Sequence, residues 1–148
     1  MFDEIDAKIL MIIQHDARIS NAEIARQVGM APSAIFERIR KLEAQGVIES
    51  YETRLNPKAL DLKLLAFVFV RTSEPTGAQA EAILADIPGV QEIHHVAGED
   101  CLLLKVRVAD TEALGQLLRE RIHTIESVTS TRSTIVLQTV KETSELPI

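Results

Sequence analysis

The sequence predicts an α+β chain: a three-helix unit containing a helix-turn-helix, followed by a ferredoxin-like βαββαβ unit. Three observations lead there. Apolar residues recur at helical spacing through the first third of the chain. A capping sequence, a glycine and a proline then fall where two helices joined by a sharp turn need them. After Asn56-Pro57 the pattern changes to strands alternating with short helices.

Ile5, Ile9, Ile12 and Ile13 form one apolar stripe, so a first helix runs from Asp3 to His15. Ser20-Asn21-Ala22-Glu23 reads as a capping box, with Ser20 taking the Glu23 amide and Glu23 reaching back. Ile19 and Ile24 flank it as a hydrophobic staple. The second helix ends at Gly29, which can turn left-handed. Pro32 opens the third, which continues to Gln45 and stops at Gly46. Ile35, Ile39 and Leu42 line its inner face, while Ser33, Glu37 and Arg40 repeat the spacing outside, with Lys41 beside them. Val47-Ile48 and the polar Glu49 to Arg54 read as a ribbon. The Asn56-Pro57 turn marks the expected boundary between domains 1–60 and 61–148.

In the second half, Leu64 to Thr72 is strand-like, and Thr76-Gly77-Ala78-Gln79 caps a helix with the stripe Ala80, Ile83, Leu84 and Ile87. Pro88-Gly89 breaks it before a strand from Val90 to Ala97. Gly98 to Asp100 turns into Cys101 to Val108, where Leu102, Leu104, Val106 and Val108 alternate with Leu103, Lys105 and Arg107. A helix opening at Asp110 or Thr111 turns Leu114, Leu117, Leu118 and Ile122 inward, and Val128 to Val140 is the last strand. The order β-α-β-β-α-β is the split βαβ arrangement. Leu64 to Val70 is apolar on both faces although helices of this fold cover one, so the other is expected to meet a second subunit.

Composition narrows the function classes. The 148 residues are 46% hydrophobic and 26% charged, which argues against disorder. No run approaches the roughly 20 apolar residues of a membrane span. The acidic first residues lack the basic-then-apolar order of a secretory signal, so a cytoplasmic protein is expected. One cysteine, Cys101, excludes an intrachain disulfide and a multi-cysteine zinc site. No phosphate loop, dinucleotide fingerprint or nucleophile motif is present, so neither a cofactor nor a metal is expected.

The net charge of −6, taken alone, argues against nucleic acid. Residues 1–60, however, carry eight Lys/Arg against nine Asp/Glu, and residues 61–148 eight against thirteen. Exposed charges farther apart than about 10 Å are largely screened at cellular salt, so a locally basic helix is compatible with an acidic total. Residues 21–40 carry the helix-turn-helix spacing: small Ala25 where two helices approach, Gly29 at the turn, Ile35 as the buried knob of the second helix. Such a helix can project into a major groove. The alternative is a three-helix bundle whose charged face is merely solvated.

Asp6-x₂-Ile9-Leu10, Arg18-Ile19-Ser20-Asn21-x-Glu23-Ile24-Ala25 and Glu37-Arg38-Ile39-Arg40-Lys41-Leu42-Glu43-x₂-Gly46-Val47-Ile48 fall in the first half. Val96-x-Gly98, Thr131-Arg132-Ser133 and Val140-Lys141 fall in the second. Together they resemble the Lrp/AsnC family of bacterial and archaeal transcription regulators over residues 3–60 and 62–146. The resemblance implies a winged helix-turn-helix joined by a hinge strand to a ligand-sensing ferredoxin-like domain. It implies double-stranded DNA as partner, an amino acid as effector, and dimers that assemble further, with an octamer expected. DNA contacts are then expected from Ser33, Ala34, Glu37, Arg38, Arg40 and Lys41. Two departures stand out. The family often has Ser before the third-helix proline, and here Ala31 cannot cap. The effector loop usually reads Gly-Asp-Tyr-Asp-Tyr and here reads Gly98-Glu99-Asp100-Cys101-Leu102, without the aromatic.

The expected effector site comprises Gly98, Glu99, Asp100, Cys101, Thr131 and Ser133. An amino acid needs an acceptor for its ammonium, which Glu99 or Asp100 supplies, and donors for its carboxylate. Backbone N–H groups near Gly98 and the hydroxyls of Thr131 and Ser133 supply those. From residue chemistry alone, an acidic hairpin turn with solvated carboxylates is the alternative. His94 and His95 are adjacent on a strand and point to opposite faces, so they do not chelate one metal together. The rival readings are a sirohaem-decarboxylase-like enzyme on this architecture and an architectural DNA-binding protein that senses nothing.

Overall fold

The computed structural model describes residues 3–74, 77–98 and 102–148. The chain divides into two compact units, Met1–Arg54 with Lys141–Ile148, and Leu55–Val140. Segment 141–148, which the sequence division places with the second domain, packs with the first unit.

In the first unit, α1 (Glu4–His15) begins at Asp3, whose carboxylate accepts the Asp6 N–H at 2.9 Å while the Asp6 carboxylate accepts the Asp3 N–H. This capping box is reciprocal. The one expected before α2 (Asn21–Val28) is only half made. Ser20 Oγ accepts the Glu23 N–H at 3.1 Å, but the Glu23 carboxylate turns forward to Arg26 and Gln27. Charged and amide donors on the next turn compete better for it than one backbone N–H, and they hold its pKa down at about 2. Gly29 sits at φ +79°, a conformation few side chains tolerate, and α3 (Pro32–Ala44) starts three residues beyond it, with no side-chain cap from Ala31. Ile9, Ile24, Ala25 and Ile35 form the buried core, flanked by Ile5, Ile12, Ile19 and Ile39.

The expected ribbon does not form. The Val47 and Ile48 N–H groups fold back onto Leu42 O, and residues 49–56 are exposed with no strand. An extended segment becomes a strand only when another backbone pairs with it, and among the described residues none does.

The second unit opens with a 3₁₀ turn, Pro57–Leu60, capped by the Asn56 side chain. Then follow β1 (Leu64–Thr72), α4 (Ala78–Ala85), β2 (Val90–His95), β3 (Leu102–Val108), α5 (Thr111–Leu117) with a π turn at Leu118–Ile122, and β4 (Val128–Ile135). The sheet order is β2-β3-β1-β4 with every pair antiparallel, the expected split βαβ topology. Ala66, Val68, Val70, Leu102, Leu104 and Val106 face the helices and pack on Ala80, Leu84, Ile87, Leu114 and Ile122. Each fully buried Val, Leu or Ile side chain among them contributes about 1.5–3 kcal/mol.

Details differ from the sequence expectation. Ile83 is 44% exposed rather than inward, because Ala80, Leu84 and Ile87 fill the space under the sheet. Thr76 lies outside the described residues, and α4 starts at Gly77 without a side-chain cap. β2 ends at His95 and β4 at Ile135, both short of the expected Ala97 and Val140. β4 stops where its partner does: the Val136 N–H still reaches Leu65 O, near the start of β1, and beyond it Leu137 and Val140 are almost fully exposed.

Candidate nucleic-acid interface and effector loop

The α3 surface divides by side-chain spacing. Ile35 and Leu42 are buried, and Ser33, Glu37, Arg40 and Lys41 are exposed on the far side. Ala34 and Arg38 lie on the flank, half-buried. Arg38 is engaged inside the unit: its Nη1 donates to Asp6 Oδ1 at 2.8 Å and to Asp3 Oδ2 at 2.9 Å. The bonds to Asp6 and then Asp3 raise the arginine's pKa, and the Asp6 N–H and then Arg38 lower that of Asp3. Arg40 and Lys41 have no ion-pair partner among the described residues, so they are the cations that α3 presents outward. Phe36 is 53% exposed on the same helix, a contact surface that the sequence reading passed over. Its place next to the apolar Ile35 concealed it.

Of the expected effector site, only Gly98, Thr131 and Ser133 lie among the described residues. Glu99, Asp100 and Cys101 lie outside the described residues. Gly98, at φ +141°, adopts a backbone conformation suited to glycine. Thr131 and Ser133 pair with Val70 and Val68, so they share one face of β4, the one turned to the helices. Leu102, which opens β3 after the loop, also pairs with Val70. β1 therefore runs between the loop strand and β4, a lateral separation of about 10 Å. Thr131 Oγ1 is 2.8 Å from His123 Nε2, a polar neighbour that the sequence reading missed.

The adjacent histidines do face opposite ways. His94 lies on the open side of the sheet, 3.0 Å from Glu92, which also meets Lys105; His94 and then Lys105 lower the Glu92 pKa. His95 pairs with Glu81 of α4 on the helix side. Among the described residues no group of three or more His, Cys, Asp or Glu could hold a metal, and no helix is long and apolar enough to cross a membrane.

A helix-turn-helix with a free cationic helix face, joined to a separate ferredoxin-like unit, defines the class of two-unit DNA-binding regulators. Residues 2–49 match the model of a winged helix-turn-helix DNA-binding domain, and residues 65–146 that of the Lrp/AsnC ligand binding domain. The chain belongs to the Lrp/AsnC family and is a DNA-binding transcription regulator of that type. It is 40% identical to the leucine-responsive regulatory protein of Salmonella typhimurium, over 99% of this chain and 91% of that protein. It is 38% identical to an HTH-type transcriptional regulator of Pyrococcus horikoshii, over 99% and 96%. Among solved structures, a transcriptional regulator from Neisseria meningitidis in complex with L-methionine superposes with TM-score 0.94 at 28% identity, covering 99% of this chain and 97% of that one. A feast or famine regulatory protein from M. tuberculosis complexed with L-methionine gives 0.90 at 38% identity, covering 99% of each. These relatives are named as regulators, and the enzyme reading is not favoured.

Proposed function

We propose that this regulator responds to an amino acid held at Gly98–Cys101 together with Thr131 and Ser133, and that it acts in the cytoplasm as a dimer assembling toward an octamer. α3 reads the major groove through Ser33, Ala34 and Glu37, with Arg40 and Lys41 on phosphate and Arg38 fixing the helix against α1. The carrying observation is the division of α3 into a buried Ile35/Leu42 side and an exposed face whose cations, Arg40 and Lys41, are unpaired among the described residues. The amino-acid reading is supported by the two relatives complexed with L-methionine. The ligand is taken to sit in a pocket between subunits, so that its binding changes the relative stability of assembly states.

Calorimetry against the twenty amino acids tests the effector reading. Glu99→Gln with Asp100→Asn removes the charge and keeps the shape, and affinity is expected to fall roughly ten- to a hundredfold, since hydrogen bonds to charged groups contribute about 1.5–3 kcal/mol. Equal affinity in wild type and double variant places the ammonium elsewhere. Binding of none favours the architectural reading.

A further inference from the structure

The chain passes between its two units twice, once at Arg54–Leu55 and again at Val140–Lys141. The returning segment has no helix or strand, yet it is held against α1. Gln14 Nε2 donates to Leu146 O at 3.1 Å, and the Leu146 N–H donates to Gln14 Oε1 at 2.6 Å. A side-chain amide here pairs with a backbone residue as one strand residue pairs with another, using both a donor and an acceptor. Arg54 grips the other end of the segment: Nη1 donates to Glu142 O at 2.7 Å and Nη2 to Glu142 Oε1 at 3.1 Å. Glu145 stands 3.6 Å from His15 Nδ1, completing an ion pair whenever that imidazole is protonated. The Glu145 N–H also donates to Thr143 Oγ1 at 3.1 Å, bracing the segment internally. Between this hold and the end of β4, Leu137 and Val140 are 98% and 93% exposed, so those side chains are not packed against the described residues.

We propose that residues 142–146 are a strap that ties the ligand-binding unit a second time to the helix-turn-helix unit, and that the strap carries the effector's signal to α1. The inference rests on the effector reading above and deepens it. β4 bears Thr131 and Ser133 and leads through residues 137–140 into the strap. A ligand that shifts β4 therefore pulls on α1 directly, and α1 is bonded to α3 through Asp6 and Arg38. With the strap released, the stretch after Arg54 is the remaining covalent link between the two units, and a shift of β4 has no second route along the chain to α1. Gln14 reads backbone atoms, so the hold depends on Gln14 far more than on the identity of residue 146.

The test uses the full-length protein as wild type, Gln14→Ala and Gln14→Glu, and a version lacking residues 141–148. Ala favours helix, so α1 survives the first substitution, and Glu keeps the acceptor for the Leu146 N–H while losing the donor. Hydrogen exchange at the Leu146 amide is expected to be slow in wild type and about tenfold faster in Gln14→Ala, as expected for loss of one hydrogen bond. Gln14→Glu falls between them. Affinity for a duplex selected from a random library is then measured with and without L-methionine as probe. Wild type is expected to change affinity with the probe. Gln14→Ala and the shortened chain are expected to bind duplex and probe as wild type does, and to lose that change. An unprotected Leu146 amide in wild type, or a full probe response in Gln14→Ala and the shortened chain, overturns the strap. A wild type that binds DNA but ignores the probe and the other amino acids refutes the effector reading itself, and with it the signal assigned to the strap.

Discussion

Arg38 Nη1 lies 2.8 Å from Asp6 Oδ1, joining the third helix of the DNA-binding unit to the first turn of its first helix. Asp6 is doubly used, since the same carboxylate closes the capping box with Asp3. Arg38 therefore positions α3, whereas Arg40 and Lys41 face outward without partners among the described residues.

That division predicts different salt dependence for neighbouring arginines. Each phosphate contact adds roughly 0.9 to the slope of log affinity against log salt. Arg40→Ala is expected to lower the slope by about 1 and leave the melting temperature unchanged. Arg38→Ala is expected to lower the melting temperature and leave the slope unchanged. Fluorescence anisotropy across a salt series, beside thermal denaturation, separates them; equal slopes for Arg40→Ala and wild type would remove Arg40 from the phosphate contacts.

Ala31 occupies the N-cap of α3 in an extended conformation, φ −71° and ψ 144°, and provides no oxygen for the first amides. Ala31→Ser supplies one without changing the backbone. Stability is expected to rise by about 1 kcal/mol. Urea denaturation measures it, and no gain would mean that solvent already satisfies those amides as well.

Tyr51 is the only tyrosine, in a chain without tryptophan, so its ionisation can be followed alone. Desolvation, and secondarily the hydrogen bond it donates to Glu43 at 2.8 Å, push its pKa from 10.0 up to about 12. A raised folded-state pKa gives stability that is fully present below pH 10 and lost as pH rises through about 12. The tyrosinate absorbance of the native protein is expected to have its midpoint near 12. Glu43→Gln is expected to lower it only part of the way, since desolvation is the larger cause. A native midpoint at the ordinary value would detach the segment around Tyr51 from α3.

The open side of the sheet carries Phe67, Phe69 and Leu103, partly exposed, with the Arg132 guanidinium 4.3 Å from the centre of the Phe69 ring. Covering this face with its copy in a second subunit removes the rings from water. Sedimentation of the full chain at micromolar concentration is expected to show at least a dimer, and Phe67→Ser to shift it toward monomer. A monomeric wild type would contradict the assembly proposed above.

Much of the architecture is legible without coordinates. The Ile9–Ile24–Ile35 core, the turn at Gly29 and the start of α3 at Pro32 follow from spacing, from the left-handed backbone that glycine tolerates, and from the fixed φ of proline. The alternation Leu102–Leu104–Val106 likewise announces a strand with one face covered. These are short-range effects, decided within a few residues by sterics and local hydrogen bonds. Partner choice is not local. Arg38 meets Asp3 across 35 positions, and Gln14 meets Leu146 across 132. Glu23 abandoned its cap for Arg26, and residues 49–56 found no strand to pair with. A polar or charged side chain has several candidate partners of nearly equal energy, and packing decides which of them come within reach. An apolar stripe asks only to leave water and can be read directly from the chain, whereas each hydrogen bond needs a distance and an angle that the assembled fold alone provides.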